Sequence, residues 1–218
     1  MLKKLTEEKM TEILETGIEE FAHHGLDRAN INVIAKRAGI SVGVLYKYYK
    51  DKEDFFLACL KRSLSVLEAV LYEVVTSEDK ILVRAEKMIR AVQLYSRKYS
   101  NYINMYHEIT SGSSKKFVPL LAAQIEGITA KTYTRFIARA MEDGDIRRDI
   151  NPRLFAFFFD NLLMMLQFSY SCDYYRERLK VYCGEEILQD DELLISELLK
   201  FLESAFTFAG SEIVHKSS

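Results

Sequence analysis

Proline and glycine are scarce in this chain, two and nine among 218 residues. Proline breaks helix interiors and glycine serves tight turns, so their scarcity argues against an all-β fold and for long uninterrupted helices. No stretch alternates in the β manner between turn signals, and the expected fold class is all-α. Cysteine is scarce as well: Cys59, Cys172 and Cys183 form no CxxC pair. Their odd number and wide spacing exclude a disulfide framework and suit reduced thiols of a cytoplasmic protein. Cys172 and Cys183 read as buried structural thiols rather than a redox pair. Long apolar runs are missing too. The most membrane-like stretch, 154–170, is interrupted by Asp160, Asn161 and Gln167, far short of the ~20 apolar residues a span requires. The opening Met1-Leu-Lys-Lys-Leu-Thr-Glu-Glu holds no apolar signal core. The expectation is a cytoplasmic protein with no membrane partner. Finally, no glycine-rich phosphate loop, nucleophile elbow or HExxH motif occurs, so neither enzyme activity nor a cofactor is expected. His23 and His24 are adjacent and would point about 100° apart on a helix, which suits no chelate.

What is present is concentrated between Gly25 and Lys52. Asn30 can cap a helix that ends at Gly39, a residue that tolerates the left-handed backbone. Ser41 can cap a second helix two residues later. Two short helices across a glycine turn are how a helix-turn-helix presents a helix to the major groove. Leu45 and Tyr49 should face inward with Ile40, leaving Val42, Gly43, Tyr46 and Lys47 outward. The segment holds six basic residues against two acidic ones, a net of +4, while the whole chain carries −2. A basic patch on an otherwise acidic protein points to a polyanion at that patch.

The run Leu26-Asp-Arg-Ala-Asn-Ile-Asn-Val-Ile-Ala-Lys-Arg-Ala-Gly-Ile-Ser-Val-Gly-Val-Leu-Tyr-Lys-Tyr-Tyr-Lys-Asp-Lys-Glu-Asp-Phe55 closely resembles the N-terminal DNA-binding domain of TetR-family transcriptional regulators. The resemblance spans roughly residues 8–58 and rests on Ile34-Ala35, Ala38-Gly39-Ile40-Ser41, Leu45-Tyr46, Tyr48 and Lys52-Glu53. Asn30, Val44 and Tyr49 depart from the threonine or serine, threonine and phenylalanine usual at those places. The resemblance implies contacts to double-stranded DNA from Asn30, Ser41, Val42, Gly43, Val44, Tyr46, Lys47, Tyr48 and Lys52. Tyrosine hydroxyls and helix N-termini bind phosphate well, Val42 can touch a thymine methyl, and Gly43 permits close approach.

Around this motif the spacing predicts helices over about 7–24 (Thr6 cap), 52–76 (Asp51 cap), 79–98, 100–110 (Ser100 cap), a stretch to about 142, one opened by Asn151-Pro152, and 191–208. Ser111–Lys116 reads as a loop, Asp143-Gly144-Asp145 as a turn, and the tail from Gly210 as frayed. No flexible linker separates the expected domains, 1–50 for DNA and 51–218 for effector binding and dimerisation. A helix alone is expected to join them.

The helix after Asn151 is apolar nearly all round, and the last helix carries two apolar stripes. Such helices must be buried on more than one side. A homodimer through a four-helix bundle accounts for them, and the family resemblance implies the same, with Leu162, Leu166, Leu194, Leu198, Phe201, Leu202 and Ala205 as interface candidates. Tyr102, Met105 and Tyr106, with Phe136 and the row Phe158, Asn161, Met165 and Phe168, are the candidate walls of a pocket for a small lipophilic effector. The reading is a ligand-responsive homodimeric repressor that leaves a palindromic operator when the effector binds. The alternative is a helical dimer that binds small molecules or proteins without binding DNA.

Overall fold

The computed structural model describes residues 5–75, 79–111 and 118–207. Among them are ten α-helices, one 3-10 segment and no strand: α1 (Glu7–Arg28), α2 (Ile31–Arg37), α3 (Val42–Leu45), α4 (Lys52–Val75), α5 (Ile81–Lys98), α6 (Ser100–Thr110), α7 (Val118–Asp143), α8 (Pro152–Ser171), α9 (Asp173–Cys183), the 3-10 turn Glu185–Gln189, and α10 (Asp191–Thr207). None of these helices is long and apolar enough to cross a membrane.

Capping side chains set most of the boundaries. Thr6 accepts from Lys9 N, Asn30 from Asn32 N, Ser41 from Val44 N, Asp51 from Asp54 N, and Asn151 from Arg153 N and Leu154 N. Each satisfies donors that the first turn leaves orphaned. Ser100 is not a cap: it lies inside α6, and Tyr99 precedes it without a side-chain cap bond. The first helix runs further than expected, because Gly25 (φ 65°) kinks it and the chain resumes helical geometry to Arg28. Gly39 (φ 62°) makes the turn between α2 and α3, and Gly144 (φ 79°) turns the chain after α7. Helix α9 and the 3-10 turn were not anticipated; α9 buries no residue, so it lacks the apolar periodicity that would have marked it. The expected loop at 111–116 and the tail from Gly210 lie, apart from Ser111, outside the described residues.

Two apolar cores share α4. The first gathers Ile13, Ile18 and Phe21 of α1, Ile34 of α2, Leu45 of α3, and Phe55 and Phe56 of α4. Phe21 meets Phe56 edge-on, with ring centroids 5.0 Å apart. Gly17 permits this packing: a Cβ there would stand 2.5 Å from the Phe55 ring and 2.8 Å from the Cys59 sulfur. The second core is built by Leu71 and Val74 of α4 with Ile89, Ile137, Phe159, Ile195 and Phe206. Its last helix is tied down by charge. Arg90 forks onto Glu192 at 2.6 and 2.8 Å. Arg97 grips Asp191 and lies over the Tyr170 ring, 4.5 Å from its centroid.

Helix 4 is not the sole connection between the two parts. Helix α6 packs on α1, and its Tyr102, Met105 and Ile109 belong to the first core. These three residues share one face at i, i+3 and i+7, but nothing in sequence names the helix that covers that face.

Candidate functional site

The helix-turn-helix presents an exposed edge formed by Gly43, Tyr46, Lys47, Tyr48 and Lys50. Leu45 is fully buried, and Tyr49 packs against Phe55 with centroids 4.9 Å apart. Val42 is half-buried against the first core rather than facing outward, because a four-residue helix has too few turns to hold it off. Val44 is also half-buried. Tyr48 accepts a hydrogen bond from Leu5 N at 2.9 Å, which fastens the start of the described chain to the recognition edge.

Besides Ser41 and Tyr48, two more of the expected DNA contacts already have partners inside the protein. The Asn30 carboxamide oxygen caps α2, and its backbone N–H donates to the buried Glu20 carboxylate at 3.0 Å. Lys52 turns its ammonium to the carbonyls of Asp27 and Ala29, at 2.9 and 3.3 Å. These carbonyls end α1, where cations are favoured, so Lys52 ties α4 to α1. Arg37 is paired with Glu19 at 2.6 Å. Arg28, Lys36, Lys47 and Lys50 remain exposed cations of the segment.

The second feature is a cavity of about 120 Å³ lined by α4 through α8 and partly open to solvent. Its walls are mostly apolar: Leu64, Leu67 and Leu71 from α4, Met88 and Val92 from α5, Leu163 and Met164 from α8. Tyr95, Tyr99, Tyr102, Tyr106 and Tyr133 also line it, together with Glu126 and Asp160. Of the expected pocket residues, Tyr102, Met105 and Tyr106 line this cavity. Phe136 sits instead beside a smaller void with Phe159 and Arg84. The α8 row was displaced: Asp160, Leu163, Met164 and Gln167 face the cavity. Phe158 is 59% exposed, while Asn161 and Met165 lie half-buried on the same outer side. Phe168 is buried against Tyr106, His107 and Tyr175. A row at i, i+3, i+7 and i+10 drifts by about 80° over its length at 100° per residue, so its last member meets different neighbours from its first.

Burial dominates the electrostatics of the cavity. It raises the Asp160 carboxyl to about 6, with the Glu126 charge adding to the effect and the Thr129 hydroxyl opposing it. Tyr106, which donates to Glu126 at 2.8 Å, is pushed up by burial and then by that charge. Tyr102 carries the cavity wall to the DNA-binding unit. Its hydroxyl donates to Glu15 of α1 at 2.6 Å, and Arg62 of α4 donates to the same oxygen at 3.2 Å. One side chain thus touches both the void and the helix that supports the recognition unit.

The outer faces of α8 and α10 differ from the expected interface in part. Leu166 and Leu202 belong to the protomer's own core, 8% and 2% exposed. Leu162, Leu194, Leu198 and Ala205 are half-buried, and Phe201 is 59% exposed. Leu154, Phe157 and Phe158 of α8 are exposed as well, while Leu162, Leu194 and Leu198 pack partly against the second core. Cys59 and Cys172 are buried, but Cys183, at the end of α9, is exposed rather than buried.

The chain thus carries a helix-turn-helix docked on a helical bundle that holds a cavity. Residues 13–59, about a fifth of the chain, match the model of the bacterial regulatory proteins of the tetR family. It is 29% identical over 77 residues to the fatty acid metabolism regulator protein of Bacillus subtilis (strain 168), a match covering 34% of this chain and 40% of the relative. The chain thus matches about two fifths of that relative's length. Among solved structures, FadR from Bacillus subtilis in complex with stearoyl-CoA superposes with a TM-score of 0.66 at 16% identity, covering 90% of this chain and 99% of FadR. AibR in complex with isovaleryl coenzyme A and operator DNA gives 0.59 at 20% identity, covering 74% and 85%. At these identities the likeness is one of fold.

Proposed function

We propose that this chain is a homodimeric repressor that leaves a pseudo-palindromic operator when a lipophilic effector enters the α4–α8 cavity. The domains would divide near residue 50, where α4 begins. The observation that carries the reading is Tyr102, which lines the cavity and holds Glu15 of the DNA-binding unit. The cavity as it stands is smaller than the ~150 Å³ that accepts a benzene ring, so on this reading a larger effector parts the helices that line it. Helix α4 is one of these walls, and α6 carries Tyr102. Parting them would retilt the recognition unit. Two recognition helices must stand about 34–36 Å apart to enter successive major grooves, and a changed tilt breaks that spacing. FadR and AibR, which share the fold, are seen with acyl-CoA ligands, AibR also with operator DNA.

Selection from random duplexes should return a site with two-fold symmetry; recovery of no enriched sequence would refute DNA recognition. Lys47→Ala should weaken operator and non-operator binding together and lower the salt slope by about one, as loss of one phosphate contact does. A slope equal to that of the wild type would remove Lys47 from the interface.

Tyr102→Phe keeps the cavity wall and deletes the hydrogen bond to Glu15. The effector should still bind, but the factor by which it lowers operator affinity, typically about 5- to 150-fold in such systems, should shrink towards one. Isothermal titration with and without operator measures it. An unchanged factor would show that the coupling runs through α4 instead.

A further inference from the structure

We propose that the cavity selects a lipophilic cation, an amine or ammonium group carried on a compact apolar body. This deepens the effector reading above and rests on it. Two carboxylates, Glu126 on α7 and Asp160 on α8, line the void, and among the described residues no lysine, arginine or histidine does. A cavity built to hold a carboxylate ligand would not place two like charges in its wall, since a third negative charge there adds repulsion to the cost of desolvation. Tyrosine rings face the same space, and stacked aromatic faces attract cations, quaternary ammonium groups in particular. Tyr95 and Tyr99 stack with centroids 5.7 Å apart, and Tyr99 lies 5.1 Å from Tyr102.

An independent observation points to a ligand at the same place. Ser96 lines the cavity and is 1% exposed, yet its hydroxyl oxygen has no hydrogen-bond partner. A buried hydroxyl left unsatisfied is costly, and a ligand with N–H donors can give it what the protein does not. The carboxylates are only partly compensated from within, Glu126 by the Tyr106 hydroxyl and Asp160 by Thr129. An ammonium group would offset one of the two negative charges, and its N–H donors would give the Ser96 oxygen the partner it lacks.

Three probes with one body and three heads separate the possibilities: 4-phenylbutylamine, 4-phenylbutanol and 4-phenylbutanoate, titrated calorimetrically into the full chain at pH 7.5. The amine should bind about tenfold or more tightly than the alcohol, and the acid most weakly. Glu126→Gln and Asp160→Asn should each bring the amine down towards the alcohol while leaving the alcohol's affinity unchanged, which also shows that the variants are folded. Equal binding of amine and alcohol, tightest binding of the acid, or no binding of any probe would overturn the proposal. So would a tight complex with a short acyl-CoA that both substitutions leave intact, since that assigns the void to a neutral acyl chain. If the amine and the alcohol both loosen operator equally, the cation falls and the effector reading stands. If the amine binds as expected and operator affinity does not change, the effector reading falls instead.

Discussion

Phe201→Glu combined with Phe158→Glu should turn the protein into a folded monomer that no longer holds its operator. Both rings stand 59% exposed on the outer side of α8 and α10, where the proposed four-helix interface would cover them. Two-fold symmetry brings each substitution into the seam twice. An unpaired charge buried there costs several kcal/mol, so the dimer loses far more than an interface of this kind can spare. The sedimenting mass should fall from twice the chain to the 25.3 kDa of one. Helix content should persist, because neither ring is part of the protomer's core. A monomer engages one half-site, and the loss of bivalency should lower operator affinity about 10²- to 10⁴-fold. Leu202→Glu makes the contrast. That side chain is 2% exposed within the second core, and the variant should unfold rather than dissociate. A double variant that still sediments as a dimer would place the interface elsewhere, and a wild-type protein of one chain mass would abolish it.

Asp160→Asn should stabilise the protein above about pH 6 and change little near pH 4. Burial, with the Glu126 charge behind it, raises this carboxyl from 3.8 to about 6. A raised carboxyl disfavours its own ionisation in the folded state. Below the lower value the group is protonated in folded and unfolded chains alike, and it contributes no cost. As pH climbs from 3.8 to about 6 the unfolded chain ionises first, folding loses ground, and above that window the cost is complete. The gap sets a ceiling of about 3 kcal/mol, and solvent reaching a half-buried group reduces it to about 2 kcal/mol. Chemical denaturation at pH 4 and pH 8 should therefore give curves that coincide with wild type at the first and separate at the second. Equal stability at pH 8 would mean that the carboxylate is already compensated. The extra stability of the variant is the counterpart of its lost affinity for an ammonium ligand, since one uncompensated charge accounts for both.

The DNA-binding unit was largely legible because its signals are local. A cap, a glycine with positive φ and a second cap lie within twelve residues, and the structure makes each of those bonds. Lys52 shows the limit of such reading. Its charge is plain in the chain, but only the fold brings the carbonyls of Asp27 and Ala29 to its ammonium. On α8 the difficulty is different: several apolar stripes are chemically alike, and sequence gives no order among them. Asp160 and Gln167 looked like interruptions of a hydrophobic run, yet they lie on the cavity side. Phe158, chosen as a cavity wall, lies outside.

By itself the sequence determined that this chain is all-helical, where most helices begin, and that its N-terminal region is a tetR-family helix-turn-helix, because capping, helix periodicity and the motif depend on residues a few positions apart. Only the tertiary structure decided which faces of α6, α8 and α10 meet the cavity, the core or open space. Contacts such as Tyr102 with Glu15, 87 residues apart, arise from how whole helices pack, and that packing minimises exposed apolar surface over the entire molecule rather than within any one segment.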